Sequence, residues 1–388
     1  MTDLVRAFAL TFSIVSASAS ACADDAWRRI GDLVERAAPR PVSAVESLGQ
    51  RLFSARSLSR GRDTSCADCH IETYAWTEPR RIRRTAHGDR RTPSLVGAKY
   101  SRWQFWDGRA PSLEYQALEA LSAELGAEPN GIAAAIEQDA DLSAQYAALR
   151  QTGELPVYDC LRNRDECESD TIAGHVAFAI AQFVRSIRSG CTLFDNLMAA
   201  RPPFDTEQPA LRGALVFAGK ANCIICHNGP GLTDGEFHNI GVPNAAETTK
   251  PDLGRLTGLP LLKNAVSNDN QLWLLTSTQR AEIKELVPLL KEADGLWGQF
   301  KTPSLRGVAR RPPYMHNGYF DTLKQVIDFY DSGGLIVGPS KWEPLRDHHS
   351  ESILLPLNLT EQEKADLLAF LESLDPPLAE GVETCPHR

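Results

Sequence analysis

Apolar residues along the chain recur mostly at the three- and four-residue spacing of amphipathic helices. The clearest such segments are Ala173–Ile187, Gln279–Lys291 and Thr360–Leu374. In the last segment, Thr360 and Glu363 have the spacing of a helix-capping box. The strict alternation of apolar and polar residues that is typical of strands is scarce. The pattern therefore predicts a mainly α fold.

Two further helices are predicted after turns. Asp107-Gly108 and Asn317-Gly318 are typical turn dipeptides, and each is followed by a hydroxyl residue that can cap a helix. We expect Ser112 to begin a helix that runs to about Leu125. We expect Thr322 to begin one that runs to Tyr330.

The chain contains an internal repeat, because several motifs recur 210 positions later. The matched groups are Thr92-Pro93-Ser94-Leu95 with Thr302-Pro303-Ser304-Leu305, Asp107-Gly108 with Asn317-Gly318, and Ser112-Leu113 with Thr322-Leu323. We interpret this as a duplication that gave two related domains, 24–205 and 206–388, joined near the helix-breaking Pro202-Pro203. The second domain then carries an insertion at 264–300.

The N-terminus resembles an export signal. An apolar run from Ala7 to Ala21 follows Arg6, and Ala21-Cys22-Ala23 fits a small-residue cleavage site. We expect residues 1–23 to be removed and the protein to reach the periplasm. In a less favoured alternative, Cys22 carries a lipid anchor.

Composition narrows the possible partners. The 388 residues include 41 Lys and Arg against 50 Asp and Glu, a net charge of −9, which argues against nucleic-acid binding. The 43% hydrophobic content is enough for a buried core. No segment after the signal reaches the ~20 apolar residues of a membrane span, so we expect none.

Two CxxCH motifs indicate the chemistry. In such a motif two thiols bind the vinyl groups of a c-type haem and the histidine binds its iron. The sequence thus predicts two covalent haems, held by Cys66, Cys69 and His70 and by Cys223, Cys226 and His227. A redox dithiol or half of a zinc site is the alternative for one motif, but two copies in one exported chain favour haem.

Four other cysteines remain if the signal is cleaved. Cys160 and Cys167 bracket a short polar loop, which leaves Cys191 to pair with Cys385. This pairing is a hypothesis, because four cysteines allow three connectivities.

Several residues are candidates for the sixth iron position or for peroxide chemistry. Tyr330 would be a hard oxygen ligand for the second iron, which favours ferric and higher states. Met315 is the rival ligand, and its alternative is a role in the core. For Tyr330 the alternative is an ordinary aromatic residue of an amphipathic helix, with a satisfied hydroxyl. Above an open first haem, Glu124 could move the proton of hydrogen peroxide while Gln116 orients it. A solvated helix face is the alternative for Glu124.

The histidines outside the CxxCH motifs are less informative. His87 could lie over the first haem, although it stands in an arginine-rich run. His175 lies in an apolar helical segment and is expected in the core. His238 and His316 could lie near the second haem.

Together with the two CxxCH sites, several motifs strongly resemble the di-haem bacterial cytochrome c peroxidase and MauG family. They are Gln104-Phe105-Trp106-Asp107-Gly108-Arg109, Leu113-Glu114-Tyr115-Gln116-Ala117, Lys301-Thr302-Pro303-Ser304-Leu305-Arg306 and Pro313-Tyr314-Met315-His316-Asn317-Gly318. The resemblance implies two helical, cytochrome c-like domains, with the peroxide-reactive haem at His70. It also places Trp106 between the haems.

The resemblance assigns further roles. Glu124-Leu125-Gly126 matches the family's distal glutamate if two residues are missing here. Tyr330 falls where peroxidases have a methionine ligand and MauG-like members have tyrosine. Arg91 and Arg311 occupy positions where the family has an Asn and a Thr beside a calcium ion, and neither arginine can ligate a cation. We therefore expect the calcium site to be altered or empty.

These features favour a periplasmic di-haem peroxidase-like oxidoreductase of the MauG-like subgroup. It would use hydrogen peroxide to reach a high-valent di-haem state and then oxidise a partner protein. One alternative is a cytochrome c peroxidase that removes peroxide with electrons from a small cytochrome or cupredoxin. Another is a non-enzymatic di-haem electron carrier.

Overall fold

A computed structural model describes most of the chain. The described residues are 25–35, 40–85, 87–158, 164–188, 192–199, 204–243, 251–267, 275, 277–292, 294–334 and 354–376. The predicted signal segment 1–23, with Cys22, lies outside them, as do Cys160, Cys191, Pro202-Pro203 and Cys385.

Within these residues the chain is mainly helical, as predicted. The helices are α1 (25–31), α2 (Ala44–Ser54), α3 (Leu113–Ala123), α4 (Pro129–Gln138), α5 (Ala140–Thr152), α6 (Arg164–Ser186), α7 (Leu193–Met198), α8 (Pro209–Ala218), α9 (Arg255–Ser267), α10 (Ser277–Leu286), α11 (Leu323–Asp331) and α12 (Glu361–Glu372). Two short antiparallel pairs are present, β1 (Arg83–Thr85) with β2 (Gly88–Arg90) and β3 (Phe237–His238) with β4 (Phe300–Lys301).

The main apolar residues form two cores. In the first, α2 and α4 pack on α6, and in the second, α8 packs on α12. Each core contains one very close helix crossing at a glycine. A Cβ atom on Gly49 would lie 1.9 Å from the carbonyl oxygen of Ala179, and one on Gly213 would lie 1.9 Å from that of Asp366. Only glycine allows these helices to approach so closely.

Most of the predicted helix starts are confirmed. Thr360 and Glu363 form the predicted capping box of α12, and the Ser112 and Thr322 side chains cap α3 and α11. Helix α6 begins at Arg164, before the expected Ala173, because the polar residues that precede the apolar stripe also adopt helical geometry.

The end predicted for α10 was wrong. This helix ends at Leu286 instead of Lys291, and a 3₁₀ turn over Val287–Leu289 follows it. Pro288 lacks a backbone N–H and disfavours the helical conformation of the residue before it, which explains the early end.

A similar succession of turns occurs in both halves. Gly97 and Gly307 each have a positive φ and precede a short 3₁₀ helix. Eight residues later, Phe105 and Met315 also have positive φ values, of 65° and 72°. Isolated bridges then close the turns, between Gln104 and Ala110 and between Tyr314 and Phe320. The two halves thus share local geometry, and their common origin stays a prediction.

The predicted boundary at 205 does not coincide with the division of the cores. Ile30, Leu33 and Phe194 precede it in sequence and lie in the second core. The described part of the expected insertion forms a third, smaller core, in which Ile283 and Val287 pack with Trp103 of the first half. The inserted residues therefore contact both halves.

Two other sequence expectations bear on this part of the chain. No helix among the described residues is long and apolar enough to cross a membrane. Cys167 is disulfide-bonded, in line with its predicted oxidation, while its three candidate partners lie outside the described residues.

A buried ion pair joins distant segments of the second core. Arg306 Nη1 lies 2.6 Å from Asp195 Oδ2, and both side chains are almost completely buried. Arg306 also donates from Nη2 to the Leu33 carbonyl oxygen at 2.5 Å, and the Glu35 N–H donates to Asp195. This pair therefore attaches the N-terminal segment and α7 to the second half.

We predict that Asp195→Ala lowers the free energy of unfolding by about 3–5 kcal/mol, because it leaves the Arg306 charge buried and unpaired. Asp25→Ala removes an exposed partner of Arg28 and should cost less than about 1 kcal/mol. Urea unfolding of the holoprotein, followed by circular dichroism, measures both. Equal losses in the two variants would contradict the prediction.

Candidate functional site

The first CxxCH motif forms a compact turn with a fixed histidine. Cys66–Asp68 is a 3₁₀ helix that ends at Cys69, and the His70 N–H donates to the Cys66 carbonyl oxygen at 2.9 Å. His70 Nδ1 donates to the Trp76 carbonyl oxygen at 3.0 Å. Because a carbonyl oxygen only accepts, Nδ1 carries the proton and Nε2 keeps the lone pair that an iron ion requires.

The second motif has the same geometry. Cys223–Ile225 is a 3₁₀ helix, and the His227 N–H donates to the Cys223 carbonyl oxygen at 2.9 Å. His227 Nδ1 donates to the Leu232 carbonyl oxygen at 3.0 Å, which again leaves Nε2 available. A backbone carbonyl orients the histidine in both halves.

Each motif lines a cavity. The cavity at His70 has a volume of about 150 Å³, and the one at His227 about 470 Å³. The four CxxCH cysteines are free thiols on the cavity walls. Two free thiols and a lone-pair-bearing imidazole on one wall are the donor set of haem c, so the residues fit one such group in each cavity.

Helix α3 lines the first cavity. It contributes Gln116 and Ala120, and its C-cap residue is Glu124. Glu124 is exposed, yet desolvation of its carboxyl by the surrounding protein raises the pKa of that group above the ordinary value, against the opposing charges of Arg109 and Arg83. The sequence-predicted pair Gln116 and Glu124 therefore does lie at one cavity.

Arg109 also lines this cavity, although we did not predict a role for it from the sequence. Its Nε donates to Glu119 at 2.7 Å and its Nη1 to Asp107 at 3.1 Å, and the guanidinium lies 3.5 Å from the centre of the Phe105 ring. These contacts fix a positive charge close to Glu124. The sequence did indicate this residue, because Arg109 directly follows Trp106-Asp107-Gly108 in a motif that carries the family resemblance.

His87, the alternative residue over the first haem, is not among the residues that line the cavity. Its Nε2 lies 3.8 Å from the Glu119 carboxylate. His175 is buried, as expected, and its ring hydrogen-bonds with the Tyr146 hydroxyl and the Pro156 carbonyl oxygen.

Trp106 lines both cavities. Its indole Nε1 donates to the Arg91 carbonyl oxygen at 2.8 Å, and its own carbonyl oxygen accepts from the Lys301 N–H at 2.8 Å. Its ring also faces the ring of His316, with centres 6.5 Å apart. Trp106 thus lies on the wall that the two cavities share, and its place between two haems stays a prediction.

Both rival ligands line the second cavity, because Tyr330 and Met315 are on its wall. Burial raises the pKa of the Tyr330 hydroxyl.

Two other histidines line the second cavity, as the sequence suggested. His316 stacks on Phe300 with ring centres 3.6 Å apart, and burial lowers its pKa to about 4. His238 Nε2 lies 2.9 Å from Asp234 Oδ2, and the two approach Cys226 closely enough to resemble a metal site. Cys226 is predicted to form a thioether bond with a vinyl group of the haem. We therefore assign no separate metal to this cluster.

Residues at the expected calcium position do not fit that ion. Arg91 and Arg311 are buried on the wall between the cavities, and their guanidinium groups only donate hydrogen bonds. Calcium is bound by oxygen atoms.

A mainly helical chain with two CxxCH cavities and a shared tryptophan defines a di-haem protein of the cytochrome c peroxidase class. The model of the family "Di-haem cytochrome c peroxidase" matches residues 43–202. Cytochrome-c peroxidase IdrP1 of Denitromonas iodatirespirans is 32% identical, over 94% of this chain and 92% of its own. Methylamine utilization protein MauG of Methylophilus methylotrophus is 30% identical, over 85% and 82%.

A solved structure supports the same conclusion. The crystal structure of a MauG-like protein associated with microbial copper homeostasis matches with a TM-score of 0.63 and 26% identity, over 89% of this chain and 94% of its own. The chain belongs to the di-haem cytochrome c peroxidase and MauG family. It is a haem peroxidase-type oxidoreductase, and its family implies two haem c cofactors.

Proposed function

We propose that this protein is a MauG-like enzyme of the periplasm, which uses hydrogen peroxide to oxidise a partner protein. In this proposal Cys66, Cys69 and His70 hold the first haem. Cys223, Cys226 and His227 hold the second. The two halves then arose by duplication and diverged in chemistry.

Residues of the first cavity act on peroxide. A haem held by Cys66, Cys69 and His70 would supply the iron that peroxide oxidises. The Glu124 carboxylate takes a proton from one peroxide oxygen and delivers it to the departing oxygen, which leaves as water. The Gln116 amide donates a hydrogen bond that orients peroxide. The fixed charge of Arg109 favours the ionised carboxylate that this base requires.

Trp106 connects the two sites. Its ring lines both cavities, and hydrogen bonds to its indole and carbonyl groups fix its orientation. A rigid aromatic ring between two redox centres shortens the distance that an electron must cross. We therefore assign Trp106 the sharing of oxidising equivalents between them.

The MauG-like assignment rests on the location of Tyr330 on the wall of the second cavity. This residue lines the same cavity as Cys223, Cys226 and His227. A phenolate oxygen at the sixth position stabilises oxidised iron, whereas a thioether stabilises reduced iron. An enzyme that stores both oxidising equivalents needs the former.

Met315 supports the second candidate function. It lines the same cavity, and a methionine ligand would suit a cytochrome c peroxidase that draws electrons from a small cytochrome or cupredoxin. Relatives of both names match the chain. A di-haem carrier without enzymatic activity would not need a proton-transferring carboxylate at the first cavity.

We predict that Glu124→Gln slows the reaction with hydrogen peroxide by about 10²–10⁴-fold, because an amide cannot take the proton. Stopped-flow absorbance at the Soret band measures the rate constant, and the spectrum before mixing reports intact haem. In the unsubstituted protein the rate constant should fall as the pH drops through the raised pKa of Glu124, because protonation removes the base. This dependence should vanish in the variant.

Glu128→Gln is the matched control, since this carboxylate lies nearby on the surface and pairs with Arg60. It should leave the rate constant unchanged. Normal peroxide kinetics in Glu124→Gln would refute the catalytic role.

Tyr330→Phe should alter the absorption and electron paramagnetic resonance spectra of the second haem only, because it removes the ligand oxygen and keeps the ring. Tyr319→Phe changes a tyrosine that does not line the cavity and should have no effect. Unchanged spectra in Tyr330→Phe would eliminate Tyr330 as a ligand.

The proposed function also predicts how peroxide equivalents are stored. The diferric protein is mixed with one equivalent of hydrogen peroxide in the absence of an electron donor. Reductive titration back to the diferric state should then consume two electrons per chain. Adding a reduced small cytochrome c should accelerate peroxide consumption only slightly. Strong acceleration by that cytochrome would instead identify the peroxide-removing function.

A further inference from the structure

Two buried arginines form part of the wall between the cavities. Arg91 is 5% exposed and Arg311 is 9% exposed, yet both line the first and the second cavity. Their positions 91 and 311 belong to different halves of the chain. The pair thus presents two cationic side chains to both cofactor sites at once.

The hydrogen bonds of this pair are incomplete. Arg91 Nη2 donates to the Glu78 carbonyl oxygen at 3.0 Å, whereas its Nη1 is buried and has no partner among the described residues. Arg311 Nη2 donates to the Ser304 carbonyl oxygen. Within the described part of the chain, neither guanidinium forms an ion pair with a carboxylate. The carboxylates of Glu78 and Asp375 act on Arg91 and Arg311 only without direct contact.

Burial of two guanidinium groups without a directly paired anion is unfavourable. Burial, together with the neighbouring Arg311 charge, lowers the pKa of Arg91 to about 10, and burial lowers that of Arg311 to about 10 as well. Lys301 adds a third cationic group to both cavity walls, and its Nζ donates to the Trp103 carbonyl oxygen at 2.9 Å. An anionic partner would remove this cost.

We propose that Arg91 and Arg311 bind the propionate carboxylates of the two haems and replace the divalent cation that the family resemblance placed here. The proposal rests on the two haems of the proposed function and does not depend on which substrate is oxidised. Guanidinium groups pair with carboxylates through parallel hydrogen bonds, so the free Nη1 of Arg91 gains a charged acceptor. Each haem c carries two propionate carboxylates. Because the haem is covalently attached, these anions would stay in the cavity.

The replacement of a calcium ion by two arginines has an electrostatic consequence. A fixed positive charge beside a haem favours its reduced state, because reduction lowers the positive charge of the iron. A calcium ion can be removed by a chelator, whereas arginine side chains cannot. The midpoint potentials of this protein should therefore be independent of calcium.

The first experiment uses the unsubstituted holoprotein. Pyridine haemochrome analysis first establishes two haems per chain, so that failure of haem attachment is recognised separately. The purified protein should contain no stoichiometric calcium by elemental analysis, and a chelator should leave its spectra and both midpoint potentials unchanged. One tightly bound calcium per chain, with altered spectra on removal, would overturn the proposal.

The second experiment restores the residues that the family has at these positions. R91N/R311T should lower the midpoint potential of both haems and shift the propionate bands in resonance Raman spectra. Millimolar calcium should partly reverse the lowered potentials. R91K/R311K keeps both charges and should stay closer to the unsubstituted protein. If the double variants do not fold, R91Q alone should give a smaller shift in the same direction.

R84Q is the charge-matched control, because Arg84 belongs to the same basic segment but is exposed on β1. It should leave the potentials and Raman bands unchanged. Equal potentials and Raman bands in R91N/R311T and the unsubstituted protein would overturn the proposal. Potentials that change when chloride and phosphate are dialysed away would also overturn it, because the bound anion would then be a free one.

Discussion

The wall between the two cavities is the constraint on which the rest of the structure depends. Three hydrogen bonds to backbone carbonyl oxygens hold it together: the Trp106 indole donates to Arg91, the Lys301 N–H to Trp106, and the Arg91 N–H to His316. Every partner in this chain of contacts lines both cavities, except His316, which lines the second. Two of these three hydrogen bonds join one half to the other, and each cavity is lined by residues of both halves.

Buried charges fix the turn that carries Trp106. Asp107 is fully buried and accepts hydrogen bonds from Arg90 at 2.6 Å and from Arg109. Arg90 also pairs with Asp252, while Arg255 donates to the Asp107 carbonyl oxygen at 3.0 Å. Substitution of one member of such a pair is strongly destabilising, because the other member stays charged and buried. The orientation of the tryptophan is thus set by residues from both halves, including the segment that begins α9.

The sequence predicted the features that depend on local chemistry. The helical fold, the caps at Ser112 and Thr322 and the two CxxCH turns follow from short-range patterns that the structure confirms. The tertiary packing could not be predicted from the sequence in the same way. Nothing local to Ile30 or Phe194 indicates that they join the second core, and no pattern showed that Arg91 would be buried with a free Nη1. Such features arise only when distant segments meet.

One pair of positions explains how a repeated scaffold could support two kinds of haem site. In each half a helix follows the turn and lines the cavity, and Ala120 and Tyr330 are 210 positions apart on these helices. Alanine has only a methyl group, and under the proposed function it would leave space for peroxide beside Glu124, one helical turn further on. Tyrosine brings an oxygen atom into the equivalent region. Under the proposed function, this difference would contribute to one iron being open to peroxide and the other being bound by tyrosine.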